Sequence, residues 1–186
     1  MSQDWRGHAV LQLPVRALEG FVRERTAHHD AGFLGRSEVP GEDFVHAHIT
    51  LLGPFDEMPE SNRVARALAP FHPAADAERP TVQLARIETF PNGIIHAVPE
   101  PDEPLRAMTA ALCDEFVGVL PYRGEFGVRP HITLEARATG PDGERVDEQW
   151  VREWTRRVLP AFVAIEEVDL VWYESGNTRL VSRWRL

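Results

Sequence analysis

The sequence predicts an α+β fold in which antiparallel sheets carry helices on the outside. Three observations predict it. Strand and helix patterns alternate along the whole 186-residue chain. Two pairs of strand patterns flank short turn signals of the hairpin kind, Pro91-Asn92-Gly93 and Ser175-Gly176-Asn177. The tetrapeptide His-Ile-Thr-Leu also occurs twice, at 48–51 and 131–134, each time in a strand setting.

In order, HAVLQLPV (8–15) reads as a strand, and RALEGFVRERTAHH (16–29) as a helix with Leu18, Phe21 and Val22 on one side. Residues 30–43, rich in Gly and charge, read as a loop. FVHAHITLLGPF (44–55) is a strand ended by Gly53-Pro54. A helix at 59–69 follows, with Ser61 as a candidate cap near a proline-led start. TVQLARIETF and GIIHAVPE form the first hairpin. Residues 104–120 form a helix with Pro104 in its first turn. The loop PYRGEFGVRP leads to the second motif strand, HITLEARAT. A Pro-Asp-Gly turn and a helix at 146–159 come next, and AIEEVDLVWYES with TRLVSRWRL closes the chain as the second hairpin. Each motif strand comes late in a strand-helix-strand unit, which suggests two related halves. The length suits one domain over 1–186.

The bulk numbers exclude some classes. A net charge of -9 argues against a broad footprint on duplex DNA or long RNA, which clustered cations would create, but not against a small phosphorylated ligand. No stretch approaches 18 apolar residues, so no membrane span is expected, and MSQDWRGHAVLQLPV lacks the pattern of a signal peptide; a cytoplasmic protein is expected. The single cysteine, Cys113, forms no intrachain disulfide and is expected as a core thiol. No phosphate-binding P-loop, dinucleotide fingerprint or Ser-His-Asp arrangement is recommended by the sequence.

The repeated tetrapeptide carries chemistry. Strand side chains alternate, so His48 and Thr50 share one face while Ile49 and Leu51 point to the other. His131 and Thr133 repeat the arrangement against Ile132 and Leu134. An imidazole gives or takes a proton near neutral pH, and a threonine hydroxyl donates to a phosphoryl oxygen. Two such pairs facing each other across a groove supply a general base, a general acid and two oxygen donors. Phosphodiester cleavage needs that set, and no metal or carboxylate is required.

On these motifs, HITLLGPF and RPHITLEAR, and on an element order that matches over nearly the whole chain, the sequence resembles the 2H phosphoesterase superfamily, which includes bacterial 2'-5' RNA ligases and 2',3'-cyclic phosphodiesterases. The resemblance implies a bilobal fold with a central groove. It also implies catalytic roles for His48 and His131 beside phosphate-binding Thr50 and Thr133, with neither cofactor nor metal. The implied reaction is hydrolysis of a 2',3'-cyclic phosphate on a small nucleotide or RNA terminus, generally leaving a 2'-phosphate. Which histidine is base depends on how the substrate lies. Neither the natural substrate nor the oligomeric state follows from the sequence.

Neighbouring residues extend the expectation. His46 shares the face of His48 if the strand begins early, and is a candidate substrate contact. Tyr122 and Arg123 in the loop before the second motif, Arg129 beside His131, and Tyr173 near the last turn are further substrate-binding candidates. Phe126 reads as packing, Trp150 and Trp154 as core or interface, and His96 as groove-facing by alternation. Arg152, Arg156 and Arg157 are balanced by nearby acids and read as solvated. Three alternatives stand beside hydrolysis: 2'-5' RNA ligation, a nucleotide-phosphate binding protein without turnover, and a metal hydrolase built on His46, His48 and His131.

Overall fold

The computed structural model of the chain describes residues 7–74, 77–124, 127–138 and 143–186. Its strands are β1 (His8–Pro14), β2 (Arg36–Ser37), β3 (His48–Phe55), β4 (Thr81–Thr89), β5 (Ile95–Glu100), β6 (Ile132–Glu135), β7 (Ala161–Ala164), β8 (Glu167–Tyr173) and β9 (Arg179–Arg185). The helices are α1 (Glu19–Asp30), α2 (Ser61–Leu68), α3 (Glu103–Glu115) and α4 (Glu148–Thr155). The architecture is α+β with peripheral helices, as the alternation of patterns predicts.

The described strands form one sheet in the order β2-β9-β8-β1-β3-β6-β5-β4-β7. Its pairs are antiparallel except β2 with β9, which is parallel. The two motif strands are neighbours at its centre, joined through the pair Ile49↔Ile132. The halves of the sequence exchange hairpins around this seam. The first hairpin, β4-β5, pairs with the second motif strand β6, and the second, β8-β9, pairs with β1 beside the first motif strand.

The exchange follows from burial. Ile49, Leu51, Ile132 and Leu134 are all buried, and with Leu11, Leu13, Leu84, Leu105, Met108 and Leu112 they belong to one core. Burying a large aliphatic side chain contributes about 1.5–3 kcal/mol, so the alternation that puts these residues inward also fixes which face is left for polar groups. α3 packs on β3 and α2 on α3, while α1 packs against β6. Asp147 caps α4, its Oδ1 accepting from Trp150 N at 3.0 Å.

Several boundaries differ from the sequence reading. Residues 44–47 precede β3 rather than belong to it, because their backbone turns to other partners: Val15 N donates to Ala47 O, and Glu19 accepts from the amides of His46 and Ala47. β3 runs through Gly53-Pro54 to Phe55 instead of ending there. Ser61 is the first helical residue of α2, whose N-cap is Glu60, with no side-chain capping bond. α3 stops at Glu115, and Gly118 follows at a φ of +98°. The loop at 30–43 contributes β2, which adds to the edge of β9. Residues 161–163, read as lying outside any strand, form β7 against β4 together with Ala164, which reads into the strand that follows. Of the Pro-Asp-Gly turn, residues 141 and 142 lie outside the described residues.

Candidate active site

The seam brings the two motifs together. Continuing the register of Ile49↔Ile132 by one residue each way sets His48 opposite Thr133 and His131 opposite Thr50. Each histidine thus faces the threonine of the other motif, and the four polar side chains occupy one face. Thr50 is flanked on the other side by Gln12 of β1, and Thr133 by His96 of β5.

Both motif histidines are seated by the same device. His48 Nδ1 donates to the carbonyl of His46 at 2.7 Å, and His131 Nδ1 donates to the carbonyl of Arg129 at 2.7 Å. A carbonyl only accepts, so the neutral rings carry their proton on Nδ1 and Nε2 is the basic nitrogen in each. Burial pushes the His48 imidazole down to about 4, opposed by the bond to His46 O and aided by the nearness of His131. Burial also lowers His131, and the cationic Arg129 adds to the effect.

The surroundings of the two rings differ. The His48 ring lies 5.9 Å from the Tyr173 ring, and His48 and Thr133 line a cavity of about 270 Å³ together with Phe33, Phe44 and Tyr173. The α1 side of this cavity carries Arg25 and His29, which meet Glu135 of β6. Arg25 Nε donates to Glu135 Oε2 at 2.7 Å, and His29 Nε2 lies 2.7 Å from Glu135 Oε1. His131 instead meets Phe90 edge-on at 4.9 Å and His96 at 5.4 Å, while Phe90 stacks on His96 at 3.7 Å. Burial lowers His96 as well.

The other candidate residues fall in different places. His46 is buried with both ring nitrogens engaged: Gly35 N donates to Nε2 at 3.1 Å, and Nδ1 lies 2.8 Å from Glu19 Oε1. It lines the cavity with both nitrogens held by partners within the protein. The approach depends on Gly35, where a Cβ would come within 2.6 Å of the Phe44 ring. Burial works to raise Glu19, yet its bonds from His46 and Ala47 hold it below the usual carboxylate range. Arg129 lies at the rim, with its guanidinium 3.5 Å from Glu88 and 5.8 Å from the Phe90 ring centre. Tyr173 is inside the site, its hydroxyl donating to Gln12 Oε1 at 2.8 Å. The side chains of Tyr122 and Arg123, and all of Phe126, lie outside the described residues. Among the described residues no group of three or more His, Cys, Asp or Glu is arranged to hold a metal ion. Nor is any described helix long and apolar enough to cross a membrane.

Sequence reasoning passed over Gln12, Arg25, His29 and Glu135. For Gln12 a signal existed: one polar residue inside the apolar run HAVLQLPV. It is fully buried at 0 % exposure, and its Nε2 is a buried side-chain atom without a hydrogen-bond partner, a state that costs about 1–3 kcal/mol. The Arg25–Glu135 pair joins residues 110 apart, and no local pattern marks it.

Comparison with known proteins bears on the family and the fold. A family model described as the 2'-5' RNA ligase superfamily matches residues 14–177. No curated protein gives a significant match. Among solved structures, TT0787 of Thermus thermophilus aligns at 19% identity with a TM-score of 0.53, covering 96% of this chain and 97% of that one. A structure described as a phosphoesterase aligns at 19% identity with a TM-score of 0.49, over 96% and 98%. E. coli LigT complexed with 3'-AMP aligns at 18% identity with a TM-score of 0.48, over 96% and 97%. At this identity the Thermus structure speaks for the fold.

Proposed function

The chain belongs to the 2'-5' RNA ligase superfamily and is an enzyme of the 2H phosphoesterase type; from that premise we propose that it hydrolyses a 2',3'-cyclic phosphate on a nucleotide or RNA end, with His48 and His131 as the acid–base pair and Thr50 and Thr133 as phosphate-binding donors. The observation that carries the reading is the crossed square of motif residues across the β3–β6 seam, with Nε2 the basic nitrogen of both rings.

The cyclic phosphate sits over the square, its non-bridging oxygens accepting from the two hydroxyls. One Nε2 takes a proton from the attacking water as the P–O bond forms. The other ring, protonated, gives its proton to O3' as the P–O3' bond breaks, leaving a 2'-phosphate and a free 3'-hydroxyl. His48, held at about 4, is unprotonated at neutral pH and suits the base; His131, shifted less, suits the acid. The reaction as drawn uses no metal. A 5'-hydroxyl attacking in place of water forms a 2'-5' linkage by the same proton movements, which is the reaction that the family's description names.

The test is a panel of 2',3'-cyclic mononucleotides and short RNAs ending in a cyclic phosphate, incubated with chelator, with the product isomers resolved. Turnover to a single 2'-phosphate product is expected. A ligand that binds saturably yet survives prolonged incubation across the whole panel would instead indicate binding without chemistry.

A further inference from the structure

We propose that Gln12 and Tyr173 act as a positioning pair for His48: the Gln12 carbonyl holds the Tyr173 hydroxyl proton away from Nδ1, so that the pair protects the Nδ1–H tautomer set by the His46 carbonyl. The proposal rests on the reading of His48 as one of the two acid–base histidines.

The chain of bonds has one direction. Tyr173 Oη donates to Gln12 Oε1 at 2.8 Å, which commits its only proton. The hydroxyl oxygen lies 3.4 Å from His48 Nδ1 and presents a lone pair to it. The other neighbour of Nδ1 is the His46 carbonyl at 2.7 Å, which only accepts. Both groups therefore favour a proton on Nδ1 and keep Nε2 basic. A hydroxyl turned the other way would aim its proton at Nδ1 and favour the opposite tautomer, with Nε2 blocked.

Gln12 suits this task for a reason its surroundings supply. It lies between Thr50 of β3 and Asp169 of β8 in the sheet register. Asp169 is itself buried, and burial pushes its carboxyl up despite the pairing with Arg183. A glutamate at position 12 would add a second buried carboxylate there. An aliphatic residue would bury without an orphaned amide, but would offer no acceptor. A neutral acceptor is what remains, and the unpartnered Nε2 is its cost. Burial also raises the Tyr173 phenol, so it stays protonated where the enzyme works and serves to orient rather than to transfer a proton. This places the tyrosine hydroxyl inward, in a different role from a base contact.

His131 has the matching backbone bond, and among the described residues its ring meets Phe90 and His96.

The experiment compares wild type with Gln12→Leu, Tyr173→Phe and the double variant, each checked for a wild-type-like thermal transition. Two readouts are taken: the His48 tautomer from the imidazole nitrogen shifts of labelled protein at pH 7, and kcat and KM on a cyclic nucleotide. Wild type is expected in the Nδ1–H form. Gln12→Leu releases the hydroxyl, so the Nε2–H form appears and kcat falls about tenfold with KM within about twofold. Tyr173→Phe removes the misdirectable hydroxyl and keeps the Nδ1–H form, and the double variant matches Tyr173→Phe, rescuing Gln12→Leu. Gln12→Met, which keeps the length and lacks the carbonyl, stands in if Gln12→Leu does not fold. An unchanged tautomer in every variant, or a double variant as impaired as the product of the singles, overturns the pair. So does a Tyr173→Phe effect confined to nucleobase preference. If wild type turns over no cyclic nucleotide, the enzymatic reading fails separately, and the tautomer measurement still decides the pair.

Discussion

Ile49 lies directly opposite Ile132 across the β3–β6 seam, and this pair sets which residues share the site. The side-chain period of a strand is two, so sliding one strand by a single residue would turn a motif's polar pair into the core. A slide by two would set histidine beside histidine in one direction, or threonine beside threonine in the other, and break the crossed arrangement. The two isoleucines, both at 0 % exposure, hold the crossed arrangement from below.

Truncating either isoleucine should therefore cost stability and also loosen the site. Ile49→Ala and Ile132→Ala are each expected to lower unfolding free energy by about 2–5 kcal/mol, measured by urea denaturation. Because the residues touch, the double variant should lose less than the sum of the two.

The pH dependence follows from the two imidazoles. Activity rises with pH through the pKa of the base, His48, at about 4, and falls as pH rises through that of the acid, His131, which burial holds below 6.5. The profile of kcat/KM, which reports the free enzyme, is expected to be bell-shaped with its maximum on the acid side of 6.5. A maximum above pH 7 would reject this assignment of base and acid.

The threonines act on the phosphate. Thr50→Ala and Thr133→Ala should each reduce kcat by about 10²–10³, the range for removing one preorganised donor, while the Ser variants retain most activity. Equal activity in Ala and Ser variants would remove the hydroxyls from the mechanism.

The buried carboxylate at the α1 wall is structural. Glu135 is 1 % exposed and its carboxylate meets both Arg25 and His29. Glu135→Leu deprives a buried guanidinium of its charge partner and is expected to cost about 3–5 kcal/mol by thermal or chemical unfolding.

Much of this was legible in the sequence where the signal is local. Period-two alternation put His48 with Thr50 and His131 with Thr133 on one face, and the Asn92-Gly93 and Ser175-Gly176 turns marked both hairpins, with Gly93 and Gly176 at positive φ. What could not be read depends on distant partners. No local pattern states that β3 pairs with β6, or that each half lends its hairpin to the other. His46 shares the spacing of a site residue, yet its nitrogens are held by Gly35 and Glu19, which lie 11 and 27 positions away. Gln12 stood out only as a polar residue in an apolar strand, and its meaning came from Tyr173, 161 positions later. β7 was missed as a separate strand because AFVA is too short to show a period and its last residue, Ala164, reads into the strand pattern that follows.

The central claim is that two motifs 83 positions apart form a single acid–base site. The most direct measurement is single-turnover hydrolysis of a 2',3'-cyclic nucleotide by wild type, His48→Ala, His131→Ala and the double variant, all verified as folded. Each single variant is expected to lose about 10²–10⁴ in rate, and the double variant to be little worse than either, as for groups that act as a unit. A folded single variant that keeps near-wild-type turnover would contradict the account.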